Sequence, residues 1–287
     1  MAFENQKYFK MKNVILNNGT EIPEIGFGTW QTTEGVQKTV KIALDAGYTH
    51  IDTADIYGNE AEIGEAIEGS GIARKDLYLT TKIWNSNRST QGVKRSVEQS
   101  LKKLKTDYLD LLLIHWPANE KQFENWKEIN AETWKAMEEL YRSGVVKTIG
   151  VSNFMLPQIK ALLETAEVIP AVNQIEFHPG YVQQTVVDYC KEKGIAIEAW
   201  SPIGSGRLLK DEDLKDIADK YDVSPAILCI QFCLQSGVIA LPKSENPTNI
   251  YNNLHFERFK ISESDMKSLK TLEETGFSGL NPETVDF

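Results

Sequence analysis

The stretch "YLDLLLIHW", residues 108–116, runs apolar on both alternating faces from Leu111 to Ile114 and ends in a histidine and a tryptophan. A strand with one wet face alternates; one that is apolar throughout belongs in a parallel sheet covered on both sides. Working outward, similar runs recur at "THIDTA" (49–54), "LYLTTKIW" (77–84), "VVKTIGVSN" (145–153), "AVNQIEFH" (171–178), "GIAIEAWSP" (194–202) and "GVIALPKS" (237–244). An eighth, weaker run is "NLHFE" (253–257). Helical periodicity fills the intervals at 34–46, 60–69, 89–104, 131–142, 156–166, 181–192, 211–235 and 262–273, with a break in the seventh near "DVSP". This alternation predicts an α/β fold, a closed (β/α)8 TIM barrel. A doubly wound sheet needs fewer strands and usually a glycine-rich first turn, which is missing. Upstream, "NVILNNGTEIPEIGFGT" (13–29) holds an Asn-Gly turn between two short apolar runs, a hairpin expected to cap the barrel bottom. Residues 1–13 read as a polar extension and 14–287 as one barrel domain.

The 287 residues are 41% hydrophobic and 25% charged, an ordinary globular balance. A net charge of −10 argues against nucleic acid or an anionic membrane surface as a general partner. The first 13 residues offer no apolar stretch for a signal peptide and nothing later approaches a membrane span, so the expected compartment is the cytoplasm. No amphipathic extension asks for a partner, and a monomer is expected. The three cysteines, Cys190, Cys229 and Cys233, read as buried thiols; a metal site at the latter two lacks further ligands in sequence.

In such a barrel, chemistry belongs to the C-terminal ends of the strands. Asp52, Lys82, His115, Ser152, Asn153, Gln174, Trp200, Ser201 and Lys243 all fall there, and Tyr57 follows Asp52 on a strand-to-helix loop. Asn59 with Glu62 reads as a helix N-cap pair just beyond it. Phenols ionise at roughly pH 10; an adjacent ammonium lowers that value, and a carboxylate beside the ammonium keeps it charged. A histidine opposite can orient a carbonyl oxygen, a combination suited to protonating an oxygen as charge builds on it. The bland alternative is a buried Asp–Lys pair closing the barrel, with Tyr57 and His115 as filler. A metal-dependent barrel hydrolase needs ligands at several strand ends, and only His115 and Asp52 are well placed.

The strings "GYTHIDTADIYGNE" (47–60), "TTKIW" (80–84), "DLLLIHWP" (110–117), "IGVSNF" (149–154), "VNQIEFHP" (172–179), "EAWSPIG" (198–204) and "LPKS" (241–244), in this order, resemble the aldo-keto reductase superfamily. The short loops and the "NPETVDF" ending (281–287) resemble its bacterial branch of diketogluconate reductases, with prostaglandin F synthase-like and glyoxal reductase-like enzymes close by. The resemblance implies NAD(P)H-dependent reduction of aldehydes and ketones, with Tyr57 as general acid, Asp52 and Lys82 tuning it, and His115 orienting the substrate. It implies a nicotinamide cofactor bound without a Rossmann fold: Ser152, Asn153 and Gln174 at the carboxamide, and Trp200, where many relatives carry tyrosine, stacked on the ring. Ser201, Ile203 and Ser205 would wrap the pyrophosphate, and Gly28, Thr29, Lys243, Ser244, Glu245, Asn249 and Asn253 complete the implied cofactor contacts. Trp30, Trp84 and Trp116 would wall an apolar substrate pocket, while His178 reads as structural. Some proteins of this fold are non-catalytic binding or regulatory proteins, which is the alternative. In "PKSENPTNIYNN" (242–253) the position where relatives carry an arginine for the 2′-phosphate of NADPH holds Asn249, and Glu245 follows Ser244. A relaxed preference between NADPH and NADH is therefore expected.

Overall fold

Asn18 and Gly19 turn strand β1 (Asn13–Ile15) back onto β2 (Glu21–Pro23), with Gly19 at φ 82°. In this computed structural model, which describes residues 12–32 and 34–287, the hairpin packs on the N-terminal side of the barrel. Asn17 donates to the Pro170 carbonyl and Asn18 to Thr148 Oγ1, both just ahead of barrel strands. Its inward residues Leu16 and Ile22 join Tyr78, Leu111, Leu113, Val172 and Ile239 in a separate apolar cluster inside the barrel. The expected hairpin cap is thus present; residues 1–11 of the expected extension lie outside the described residues.

Eight parallel strands follow: β3 (Phe27–Gly28), β4 (His50–Asp52), β5 (Tyr78–Ile83), β6 (Leu111–Ile114), β7 (Ile149–Ser152), β8 (Val172–Glu176), β9 (Ala196–Trp200) and β10 (Ile239–Leu241). Each pairs with its neighbour in chain order, and a parallel bridge between Ile25 and Ala240 brings the two ends together. Gly26 is needed at that seam: a Cβ there would lie 2.5 Å from His50 Nδ1. Outside the strands lie α1 (Val36–Asp45), α2 (Glu60–Glu68), α3 (Thr90–Lys103), α4 (Trp126–Ser143), α5 (Leu156–Leu163), α6 (Gln184–Glu192), α7 (Glu212–Asp219), α8 (Pro225–Gln235), α9 (Pro247–Leu254) and α10 (Glu263–Lys270). Their buried faces and the outward strand residues form one large apolar layer. The break in the seventh helical interval is real: Asp222 adopts a left-handed φ of 52°, and Ser224 caps α8 ahead of Pro225.

Two expectations are corrected. The eighth strand is not "NLHFE": Asn253 and Leu254 end α9, which Pro247 opens and whose first N–H groups Asn246 Oδ1 accepts. The missing strand is β3, two residues that the hairpin delivers to the seam. The Asn59–Glu62 capping pair also fails. Asn59 occupies the N-cap position but turns its side chain inward, where Thr53 Oγ1 donates to its Oδ1 (2.7 Å) and its Nδ2 donates to the Thr29 carbonyl (3.1 Å).

Candidate active site

The C-terminal strand ends open into a cavity of about 680 Å³. A buried ion pair underlies it. On β5, Lys82 points inward and is 1% exposed, donating to Asp52 Oδ1 at 2.6 Å and to the Thr53 carbonyl at 2.9 Å. Tyr57 closes a short 3₁₀ turn (Asp55–Tyr57) and hangs half-buried over this pair, with Lys82 Nζ 5.2 Å from its ring centre. His115, one residue past β6, meets the Tyr57 ring edge-on at 5.5 Å and the Trp84 ring at 5.1 Å.

The charges in this group follow from burial. Desolvation would strip the proton from Lys82, but Asp52, Tyr57 and Glu198 outweigh it and hold the ammonium charged. Burial pushes the Tyr57 phenol above its ordinary value, and Lys82 offsets only part of that rise. The expected net lowering is therefore reversed: with the cavity open, the phenol holds its proton more firmly than in water. Burial, then Lys82, pull His115 well below the usual histidine range, so its imidazole is neutral. The set is a neutral phenol over a cation, beside a neutral ring. It can donate protons to an oxygen placed between Tyr57 and His115.

Farther round the rim, β7 and β8 supply amide groups. Ser152 Oγ donates to the Gln174 carbonyl at 2.9 Å. Asn153, held at a left-handed φ of 62°, directs its Nδ2 to the His115 carbonyl (2.9 Å) and to Ser152 Oγ (3.1 Å). Its Oδ1 accepts from Trp200 Nε1 at 2.8 Å, which fixes the indole plane over the cavity. Ser201 and Ser205 also take left-handed φ values, 50° and 52°, and their hydroxyls meet at 2.8 Å. Such backbone in non-glycine residues costs on the order of 1–3 kcal/mol and clusters at functional sites.

Most of the residues singled out in the sequence line this one cavity; five do not. Lys82 lies beneath its floor, Thr29 is buried and bonded to the Asp52 carbonyl, and Asn253 is buried on α9. Trp30, Trp84 and Trp116 surround its apolar end. At the other end, Lys243, Ser244 and Asn249 line the wall, while Glu245 stands outside the lining and accepts from Lys243 Nζ at 2.7 Å. His178 is buried outside the lining, its Nδ1 2.8 Å from the Pro179 carbonyl, a structural position as expected. All three cysteines are buried free thiols.

Several contributors went unread. Phe287 stacks on Trp84 at 5.7 Å and meets Trp116 at 5.2 Å, while its carbonyl accepts from Asn85 and Gln122. Ile56, Leu209 and Leu280 also line the cavity. Ile56 lies in the string at 47–60 and Phe287 ends the string at 281–287, but neither carries a polar group that marks a site, and Leu209 and Leu280 belong to no motif or periodic run. Glu198, in the middle of β9, did leave a signal: a carboxylate inside an otherwise apolar strand.

The aldo/keto reductase family profile matches residues 24–274. The chain is 41% identical over 276 residues to a glyoxal reductase of Bacillus subtilis, covering 96% of this chain and 97% of that one. It is 39% identical over 275 residues to the 9,11-endoperoxide prostaglandin H2 reductase of Trypanosoma cruzi, with 94% of each chain covered. Among solved structures, an aldo/keto reductase from Brucella melitensis superposes with a TM-score of 0.84 at 42% identity, covering 91% of this chain and 98% of that one. The chain therefore belongs to the aldo/keto reductase family and is an NAD(P)H-dependent enzyme that reduces carbonyl groups.

Proposed function

We propose that Tyr57 is the general acid of this reduction, with Lys82 and Asp52 setting its protonation and His115 orienting the carbonyl oxygen. The observation that carries this reading is the buried Asp52–Lys82 pair directly under a phenol that faces the cavity. The bound nicotinamide supplies the hydride. The protein's part is to place the substrate oxygen against the Tyr57 hydroxyl and the His115 ring, and to deliver the phenolic proton as negative charge grows on that oxygen. Loss of that proton would leave a phenolate beside the Lys82 ammonium, a neighbour that lowers its energy. The non-catalytic alternative has no comparable support, since the matched relatives include reductases and a dehydrogenase.

The donor set fits the cofactor. Gln174 and Trp200 line the cavity together with Ser201, Ser205 and Lys243, and Gln174 has its amide nitrogen already bonded within the protein. Ser152 and Asn153 are bonded within the protein and hold the frame around the carboxamide position. Gly28, Thr29, Ile203, Ser244 and Asn253 are proposed to support the remaining contacts. The preference is relaxed in this reading, because Lys243 is already paired with Glu245 and Asn249 supplies only neutral bonds. The test is kcat/KM for NADPH and NADH on one good aldehyde. A ratio below about a hundredfold agrees with this assignment; a larger one, roughly 2.7 kcal/mol, contradicts it. The enzyme is further proposed to act on small-molecule carbonyls, as a monomer in the cytoplasm and without nucleic-acid partners. Among the described residues no helix is long and apolar enough to cross a membrane. A stable dimer in sedimentation at micromolar concentration would overturn the monomer.

A further inference from the structure

Beneath the cavity floor, β9 sends one carboxyl group into the barrel. Glu198 is 0% exposed and lies in register with Gln174 of β8 and Ile239 of β10. Gln174 Nε2 donates to Glu198 Oε2 at 2.6 Å and to Asp52 Oδ2 at 2.8 Å. An amide nitrogen has two protons, so both are used. The amide orientation follows from these bonds, since turning the carbonyl oxygen down would set it against the Asp52 carboxylate and give up both N–H bonds. Gln174 Oε1 takes no protein hydrogen bond among the described residues, and Gln174 lines the cavity. The neighbouring amide of Asn153 is engaged on both nitrogen protons and on its oxygen.

We propose that Glu198 is a positioning residue: by holding the Gln174 amide nitrogen down against Asp52, it presents Gln174 Oε1 upward as the acceptor for the carboxamide N–H of the nicotinamide ring. This rests on the reading that Gln174 touches the carboxamide. With Asp52 alone, the Gln174 side chain has one anchor and can rotate about its last torsion, which is broad and roughly two-fold. With both acids it has two anchors and one orientation. Glu198 can do this without adding a second negative charge beside Asp52. Burial, then the Asp52 charge, push its carboxyl up to about 8, so at neutral pH the group is mostly the neutral acid. Its second oxygen faces His50 Nε2 at 3.8 Å and makes no hydrogen bond, while Lys82 and Tyr78 are the other polar groups near it. His50 is neutral, its pKa lowered to about 3 mainly by burial.

The test is a binding measurement. Quenching of the cavity tryptophans reports affinity for reduced nicotinamide cofactor and for its acetylpyridine analogue, which has a methyl ketone where the carboxamide has an N–H donor. Wild type should favour the carboxamide cofactor by roughly 2- to 10-fold, the range for one neutral hydrogen bond. Glu198→Met should abolish that preference, and Glu198→Gln, a neutral acceptor of the same length, should retain it. If Glu198→Met does not fold, Glu198→Thr carries the same expectation, since its hydroxyl is too short to reach Gln174. A preference that survives in Glu198→Met or Glu198→Thr would overturn the positioning role, because Gln174 would then be held without Glu198. If wild type and Gln174→Met share one preference, the contact between Gln174 and the carboxamide falls, and this proposal falls with it. A merely structural Glu198 would lower thermal stability in the variants and leave the preference unchanged.

Discussion

The two ends of the cavity are built differently. At the apolar end, Asp52, Lys82 and His115 are nearly or fully buried within one residue of the ends of β4, β5 and β6, and Tyr57 sits on a turn that follows β4. At the other end, Lys243 and Glu245 form an ion pair in which both side chains are substantially exposed, and Asn249 rides on the first turn of α9. The inner group is over-determined: Lys82 has two partners at hydrogen-bond distance, and Asp52 is shared between Lys82 and Gln174. The outer group sits in high dielectric, where Lys243 reaches Glu245 at 2.7 Å and the Gln31 carbonyl at 3.3 Å and an exposed ion pair contributes about 0–1 kcal/mol. In the proposed reading, chemistry is fixed where water is excluded, and cofactor selectivity is adjustable where it is not.

The largest blow to this contrast should come from Lys82→Met. It leaves the buried Asp52 carboxyl with Gln174 as its remaining side-chain hydrogen-bond partner among the described residues and removes the cation that stabilises a Tyr57 phenolate. Steady-state assays should show kcat reduced on the order of 10²- to 10⁴-fold, the usual worth of a disrupted acid. A variant within tenfold of wild type would mean that the inner group is less tightly specified than its geometry implies. The outer end should respond more gently. Asn249→Arg should tighten NADPH by about 1–3 kcal/mol, the range for a hydrogen bond to a charged group, with little change for NADH. Fluorescence titration with both cofactors checks this, and equal tightening for both would move the 2′-phosphate contact away from position 249.

How much was legible beforehand follows the same division. Asp52, Lys82, His115, Gln174 and Trp200 could be found because such residues converge at the ends of several strands, where a single polar strand end would be unremarkable. β3 escaped because two residues carry no period, and α9 because "NLHFE" imitates a short strand once Pro247 and the Asn246 cap are overlooked. Asn59 imitated a capping residue, but the buried Thr53 hydroxyl and Thr29 carbonyl needed partners more than the helix end did. Phe287, Leu280 and Leu209 reach the cavity from segments outside the barrel's alternation, so neither the strand nor the helix period announces them. Burial also reversed the direction assigned to Tyr57, because the sequence shows the nearby lysine but not the water removed from the phenol.

The central claim is that Tyr57 alone delivers the proton while other strands hold the cofactor. Tyr57→Phe separates these roles, since it removes one oxygen and keeps the ring that meets His115. The account predicts that kcat for aldehyde reduction falls on the order of 10²- to 10⁴-fold while the dissociation constant for reduced cofactor stays nearly unchanged. A Tyr57→Phe enzyme that keeps more than about a tenth of wild-type kcat would contradict it.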